Sequence, residues 1–517
     1  MASNVSQTVD MFNVQGDIWS RGFPKRFETY YLFTINGGDS NEKQFSQCLR
    51  KLTETTTEDG TPLLSTLAKV KDDHAKILER KREERNMMEC RSDVTNDEDD
   101  HPVYPVANAL IAFTSEGLNA IQRGFENGES LDMFSVRMTN PAFYGGMARP
   151  GIATKLNDPP SRNYDGPFNN PDIRIHGLLK IGGSSKKEVD DRLKLIQDTL
   201  EHGRLISDVA EISRIDGWTR PKPNRGKEHF GFQDHISQPL IDGIDDDEPE
   251  ILPFSMKTDS SLLIVSEKTA SEAPGRLATR PPWMFGGSFL VFRKLEQDVP
   301  AFEALTKKFL EYSCQSPGHM GAKLMGRWKS GAPIAMPAFH TNDSSDPKSA
   351  KLINNFIYGG DICPASAHIR KTNPRNLKQS AEQNFPRAPL AKIIRNGIPY
   401  GSDYNGDPAD TSKRGLLFAC YQSHIEDGFE QMQVDWANSE IFPEADTGLD
   451  PIIGQVGQSA SGTNGNLDTF ITTNTTDTEK GKNNTKSVSF RQFVTMRGGG
   501  YFFVPSISAL HNDLGQA

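Results

Sequence analysis

The chain has 517 residues, with 58 basic against 68 acidic side chains and a net charge of −10. That length exceeds what one growing core usually serves, so two domains are expected. An acidic chain with no basic face excludes nucleic acid as the main partner.

In chain order, Arg26 to Thr34 is β-branched and aromatic and ends at Asn36-Gly37-Gly38, which predicts a strand and a turn. From Ser40 to about Asn86 the pattern is helical, and its last part is almost wholly charged, as on a solvated face. Asp93 to His101 reads as an acidic loop. Val106 to Phe113 is a second strand, Ser115 to Ile121 opens a helix, and Gly177 to Ile181 is a third strand. Ser185 to Leu200 is a helix, with Val189, Leu193, Ile196 and Leu200 at helical spacing. Gly243 to Ser271, rich in Asp, Glu and Pro at first, reads as the connector. This gives an N-terminal unit 1–245, a linker 246–271 and a C-terminal unit 272–517. In the second half Gly287 to Arg293 is a strand and Val299 to Ser313 a helix with Pro300 at its start. Further strands are expected at Gly415 to Tyr421 and Gly500 to Val504. Gly457 to Asn484, dominated by Gly, Ser, Thr and Asn, reads as an exposed flexible insertion. Strand, helix and strand in both halves point to an α+β fold with antiparallel sheets.

The five cysteines, Cys48, Cys90, Cys314, Cys363 and Cys420, are scattered and odd in number, so neither a disulfide framework nor a zinc site is indicated. Met1 to Ser20 is polar where a signal peptide needs an apolar run, and no later stretch reaches transmembrane length. A cytoplasmic protein without a membrane partner is expected, with secretion left open.

Four runs could carry chemistry. Glu228 to Pro239 places Asp234 in a turn punctuated by Gly231 and Pro239, among aromatic and aliphatic neighbours, where burial moves a carboxyl pKa. Cys363 to Arg375 carries His368, which on composition alone is either a satisfied core histidine or a ligand. Arg370 and Arg375 add weight to the second reading, because guanidinium forks match the propionates of a haem whose iron an imidazole holds. There is no Cys-x-x-Cys-His, so such a haem would lack thioether links. Arg395 precedes a Gly397-Ile398-Pro399 turn and is ordinarily a surface or ion-pair residue. If Arg414 to Tyr421 is a strand, Leu416 and Phe418 share one face, as core or as pocket wall.

These runs, together with Asn13 to Ile18, Phe285 to Pro300, Leu324 to Pro333 and Gly498 to Pro505, resemble the dye-decolorizing peroxidases, specifically the longer fungal-type members. The resemblance implies two ferredoxin-like domains of the dimeric α+β barrel type. It also implies one non-covalent haem b per chain, in a cleft mainly in the C-terminal domain. His368 matches the iron ligand, Asp234 the distal acid/base residue and Arg395 the distal arginine. Arg370 matches a propionate partner, Leu416 and Phe418 match distal pocket residues, and Asp450 is the candidate acceptor for the second imidazole N–H of His368. Tyr400 resembles a surface tyrosine used for electron transfer, and Trp436 is a second candidate relay; an ordinary buried Tyr is the competing account. The implied function is a peroxidase that reduces hydrogen peroxide through a ferryl intermediate and oxidises phenols, aromatic amines or dyes, as a monomer or homodimer. The alternative is a haem-binding protein of the same fold with weak peroxidase activity, serving storage, sensing or a specialised oxidation.

One position departs from the family's Gly-x-x-Asp-Gly pattern: His235 stands where the second glycine is expected. Its imidazole points to solvent, tunes Asp234 or a propionate, or obstructs the peroxide path. The sequence leaves these three open.

Overall fold

The computed structural model describes residues 9–89, 104–125, 129–149, 151–201, 209–245, 257–267, 279–308, 317–336, 354, 356–358, 362–375, 391–407, 409–445, 447–456, 466–476 and 483–516. The expected acidic loop 93–101 lies outside these, as do most of the expected linker 246–271 and residues 309–313 of the expected helix.

Four strands come from the first half: β1 (Phe27–Ile35), β2 (Ala107–Phe113), β3 (Gly177–Gly183) and β4 (Val209–Trp218). A short parallel pair follows, β5 (Leu240–Ile241) and β6 (Lys257–Thr258). The second half supplies β7 (Ser288–Gln297), β8 (Ile394–Arg395), β9 (Ile398–Tyr400) and β10 (Gly415–Gln422), then β11 (Asn466–Thr476), β12 (Asn483–Arg491) and β13 (Val494–Val504). One antiparallel sheet runs β4-β1-β3-β2-β13-β7-β10-β8, with β9 also pairing β10. Helices Asp39–Glu54, Ser115–Arg123 and Lys186–Glu201 pack on the first half. Thr114 caps the second of these by accepting from the Gly117 N–H at 3.0 Å.

Alternation along the strands sorts the apolar side chains into two cores. Tyr31, Phe33, Ile111, Leu179, Phe289 and Phe503 face the helices. Tyr30, Leu32, Leu110, Leu178, Phe292 and Phe502 face the other way, where the sheet curls on itself. The Tyr30 and Phe292 rings, from strands that do not pair, stack there with centroids 4.5 Å apart. Gly217 brings the sheet's two ends together: a Cβ on it would fall 2.5 Å from Ile398 Cγ2 and 2.8 Å from the Pro399 carbonyl. Each fully buried Leu, Ile or Phe in these cores contributes about 1.5–3 kcal/mol.

Three expectations differ from the structure. Ser40 to Asn86 is two helices, Asp39–Glu54 and Leu67–Glu89, because Thr55-Thr56-Thr57 and Gly60-Thr61-Pro62 break the run. β4 was not expected. The insertion Gly457 to Asn484 contains β11 and the start of β12, an antiparallel hairpin rich in threonine, a good strand former.

Candidate active site

A cavity of about 450 Å³ lies between β7, β10, the distal turn and the helix His368–Thr372. Asp234, Arg395, His368, Leu416, Phe418 and Trp436 all line it.

The distal side is built by a tight turn and an edge strand. Lys227 and Gln233 bridge the turn, and Glu228 accepts the backbone N–H groups of Phe230 and Phe232, each at 2.8 Å. Asp234 N–H donates to the Gly226 carbonyl at 3.0 Å. The Asp234 Oδ1 accepts the His235 N–H at 2.6 Å and Arg395 Nη1–H at 3.3 Å. Arg395 also donates Nη2–H to the Ile236 carbonyl at 2.6 Å, and Gln238 holds its backbone at both ends, accepting the N–H and donating to the carbonyl. Burial pushes the Asp234 carboxyl upward, but the neighbouring charges of His235 and Arg395 outweigh it and hold the group below its ordinary value. Asp234 is therefore ionised at neutral pH.

Residue 396 anchors the same strand on its other face. Asn396 is buried, and its carbonyl accepts Nζ–H bonds from Lys25 and Lys180, each at 2.9 Å. Its side chain donates to the carbonyls of Asp17 and Trp19 at 2.6 and 2.9 Å. Lys180 in turn pairs with Asp17 and, at 3.1 Å, with Glu28, while Tyr421 donates to Asp17 at 2.5 Å and Tyr30 to Glu28 at 2.9 Å. A fully buried ion cluster thus stands behind the distal arginine.

On the opposite side His368 begins a short helix. Its Nδ1 lies 2.9 Å from Asp450 Oδ2, and the buried Asp450 also accepts the N–H groups of Ile452 and Ile453 on Oδ1 at 2.8 and 3.0 Å. Burial pushes the Asp450 carboxyl up, yet His368 and those N–H groups hold it below its ordinary value. A carboxylate there fixes the Nδ1–H tautomer and leaves the Nε2 lone pair free.

The donor set fits a haem. It combines an imidazole with an open Nε2, apolar walls from Leu416, Phe418, Ile369 and Ile452, and buried cations. Arg327 is pushed down to about 9, first by burial and then by the nearby Arg375 and Arg395. Arg375 is also lowered by burial, and its buried Nε has no hydrogen-bond partner among the described residues. With Arg395 they put three guanidinium groups on the cavity wall, a charge that two propionates would match.

Three sequence expectations are corrected. Arg370 does not line the cavity: it donates to the Cys363 carbonyl at 2.8 Å and to Glu444 at 3.3 Å. Tyr400 is not at the surface. It is 7% exposed, because alternation along β9 turns Ile398 and Tyr400 into the inner core, and its buried hydroxyl has no partner among the described residues. Trp436 is 1% exposed; its ring faces the cavity and stacks on Phe442, with centroids 5.0 Å apart. Sequence reasoning gave Arg327 no role, although it stands in the Gly326-Arg327-Trp328 run that carried the resemblance.

Comparison with known proteins follows this geometry. Residues 13–221 match the family described as the DyP dimeric alpha+beta barrel domain, and residues 265–444 match the Dyp-type peroxidase C-terminal family. A dye-decolorizing peroxidase of Mycetinis scorodonius, msp1, is 33% identical over 432 residues, covering 79% of this chain and 77% of that protein. The solved structure of an ancestral D-type dye decolorizing peroxidase superposes with a TM-score of 0.76 at 32% identity, covering 99% of this chain and all of that one. A dye-decolorizing peroxidase solved in complex with 2,6-dimethoxyphenol gives a TM-score of 0.71 at 27% identity, covering 98% of this chain and all of that one.

Proposed function

The chain belongs to the DyP-type peroxidase family, and from that premise we propose which of its residues do the work. It is a peroxidase, an oxidoreductase using hydrogen peroxide and acting on phenols and dyes, and the family's members are haem enzymes. In this reading one haem b per chain is held without covalent links. His368 Nε2 would ligate its iron, Arg327 and Arg375 would receive its propionates, and Leu416 and Phe418 would wall it. When bound, the haem supplies the iron centre that takes up and stores the oxidising equivalents of peroxide.

Asp234 accepts a proton from one oxygen of hydrogen peroxide and returns it to the other, which leaves as water. Arg395 stays cationic and stabilises the charge growing on the departing oxygen. Asp450 holds the His368 ring in one orientation and raises its basicity. Trp436, a buried residue that lines the cavity, would be the inner step of a relay toward the surface for substrates too large to enter. The observation that carries this reading is the 3.3 Å contact of Arg395 with Asp234 above one cavity that His368 also lines.

The division into units 1–245 and 272–517 belongs to the same proposal, supported by the separate order β4-β1-β3-β2 of the first half. Among the described residues no helix is long and apolar enough to cross a membrane. A cytoplasmic enzyme, monomeric or homodimeric and without a nucleic-acid partner, is in keeping with the buried free thiols of Cys48, Cys363 and Cys420 and the charge of −10. Haem storage or sensing is not favoured, because the relatives matched over most of the chain are peroxidases. The test is haem titration of the purified protein followed by peroxide-dependent oxidation of 2,6-dimethoxyphenol. One haem per chain, lost in His368→Ala, is expected; haem retention with full activity in that variant refutes the assignment.

A further inference from the structure

The distal turn is unusual in its backbone. His235 and Ser237 both take left-handed φ values, +61° and +63°, a conformation that glycine adopts freely and histidine more readily than most residues. The exchange at 235 is therefore accommodated without unfolding the turn. Its result is an imidazole beside the proton-shuttling carboxylate, with Nδ1 3.9 Å from Asp234 Oδ2. The side chain is 42% exposed and stands outside the wall of the central cavity, so it does not fill the space where peroxide and haem would lie.

We propose that His235 is a positioning residue that extends peroxide activation to lower pH, its imidazolium holding Asp234 ionised and aligned in acid. This deepens the reading of Asp234 as proton shuttle and rests on it. Arg395 supplies one cation at all pH values; His235 adds a second only in acid. Among the described residues the charges that act most on the imidazole are those of Asp234, Lys25, Arg395 and Glu28. Asp234 favours its protonation, and Arg395 on β8 opposes it. Lys25, just before β1, opposes it, and Glu28 on β1 favours it. Glu28 is itself held by Lys25 at 2.6 Å and Lys180 at 3.1 Å. Burial lowers the imidazole below its ordinary value, an effect that solvent screens because the side chain is 42% exposed; Asp234 is lowered by the charges of His235 and Arg395 against its own burial. An unperturbed imidazole takes up its proton at about pH 6.5 and a carboxyl at about 3.9, so as pH falls His235 is the first of the two to gain one. The new positive charge then opposes protonation of the carboxylate. A unit charge at this distance in a partly wetted crevice is worth roughly one pH unit in the carboxyl midpoint.

The experiment uses the haem-loaded protein and hydrogen peroxide. The second-order rate of the absorption change on mixing is followed against pH in the parent, His235→Gln, His235→Gly and His235→Lys. Gln keeps bulk without charge, and Lys keeps charge at every pH. The acid midpoint is expected to rise by about one unit in Gln and Gly and to stay at the parent's value in Lys. A Gln profile that superposes on the parent overturns the proposal. So does a Gly variant that is faster at all pH values while Gln is not, since that outcome means obstruction. A second readout needs no turnover: the protonation midpoint of the His235 imidazole, followed by NMR, must fall by a similar amount in Asp234→Asn, because the coupling is reciprocal. An unchanged midpoint refutes the coupling. If the parent does not react with peroxide at any pH, the shuttle reading fails and the proposal with it; if it reacts and neither the profile nor the imidazole midpoint shifts in the variants, only the proposal fails.

Discussion

Replacing Asp450 by asparagine tests how the iron-ligand side is built. The carboxylate uses both oxygens: Oδ2 faces His368 at 2.9 Å, and Oδ1 accepts two backbone N–H groups at 2.8 and 3.0 Å. Asparagine has one acceptor oxygen, so it serves His368 or the Ile452 and Ile453 amides but not both. Its NH₂ must then face donors in a site that is fully buried. A buried donor left without an acceptor costs about 1–3 kcal/mol, and a charge-assisted bond to the imidazole is worth about 1.5–3 kcal/mol. Losing the carboxylate partner of a metal-ligating histidine typically lowers metal affinity or activity by about 10–100-fold. Asp450→Asn should therefore release haem about 10–100-fold faster, read by transfer to a haem scavenger protein, and should raise the reduction potential, read by spectroelectrochemistry. Haem loss and potential both equal to the parent's would refute the claim that Asp450 acts through His368.

Tyr400→Phe removes a buried hydroxyl that has no partner among the described residues; stability should rise by about 1 kcal/mol in urea unfolding, and dye oxidation should persist. A collapse of dye turnover with phenol turnover intact would instead make Tyr400 the relay. Lys180→Met leaves Asp17 and Glu28 buried without their shared cation. It should cost about 3–5 kcal/mol of stability and slow the peroxide reaction, because Asn396 and hence Arg395 lose a donor. A change below about 1 kcal/mol would speak against the cluster as an anchor. His229 is held neutral, its Nε2–H donated to the Tyr400 carbonyl at 2.8 Å, with burial, then Arg220, pushing its pKa from 6.5 to about 4. Unfolding restores the ordinary value, so the unfolded chain binds the extra proton first. Stability is lost as pH falls from about 6.5 toward about 4, by about 3 kcal/mol in all. His229→Gln should flatten that slope.

Much of the fold could be read from short apolar, β-branched and aromatic runs closed by turn residues, as in Phe27–Ile35 and Ser288–Gln297, which are buried on both faces. β4 could not. Its register on β1 shifts between Leu32 and Phe33, leaving Ile212 as an extra residue, so Ile212 and Ile215 fall three apart and the alternation is broken. Asp234, Arg395, His368 and Asp450 were legible as residues, because tight turns and a colinear pattern marked them. The direction of long side chains was not. Arg370 lies within the short helix His368–Thr372 and Arg375 three residues after it, yet one guanidinium turns to Cys363 and Glu444 and the other to the cavity wall, a choice made by distant partners. Tyr400 failed for a similar reason, since a three-residue strand gives too little pattern to say which face is inside.

The most direct test of the account is rapid mixing of the haem-loaded protein with hydrogen peroxide in the parent, Asp234→Asn and Arg395→Leu. The first variant should slow the reaction by about 10²–10⁴-fold and the second by about 10²–10³-fold, with haem content unchanged. Rates in both variants equal to the parent's would contradict the assignment of proton transfer to Asp234 and charge stabilisation to Arg395.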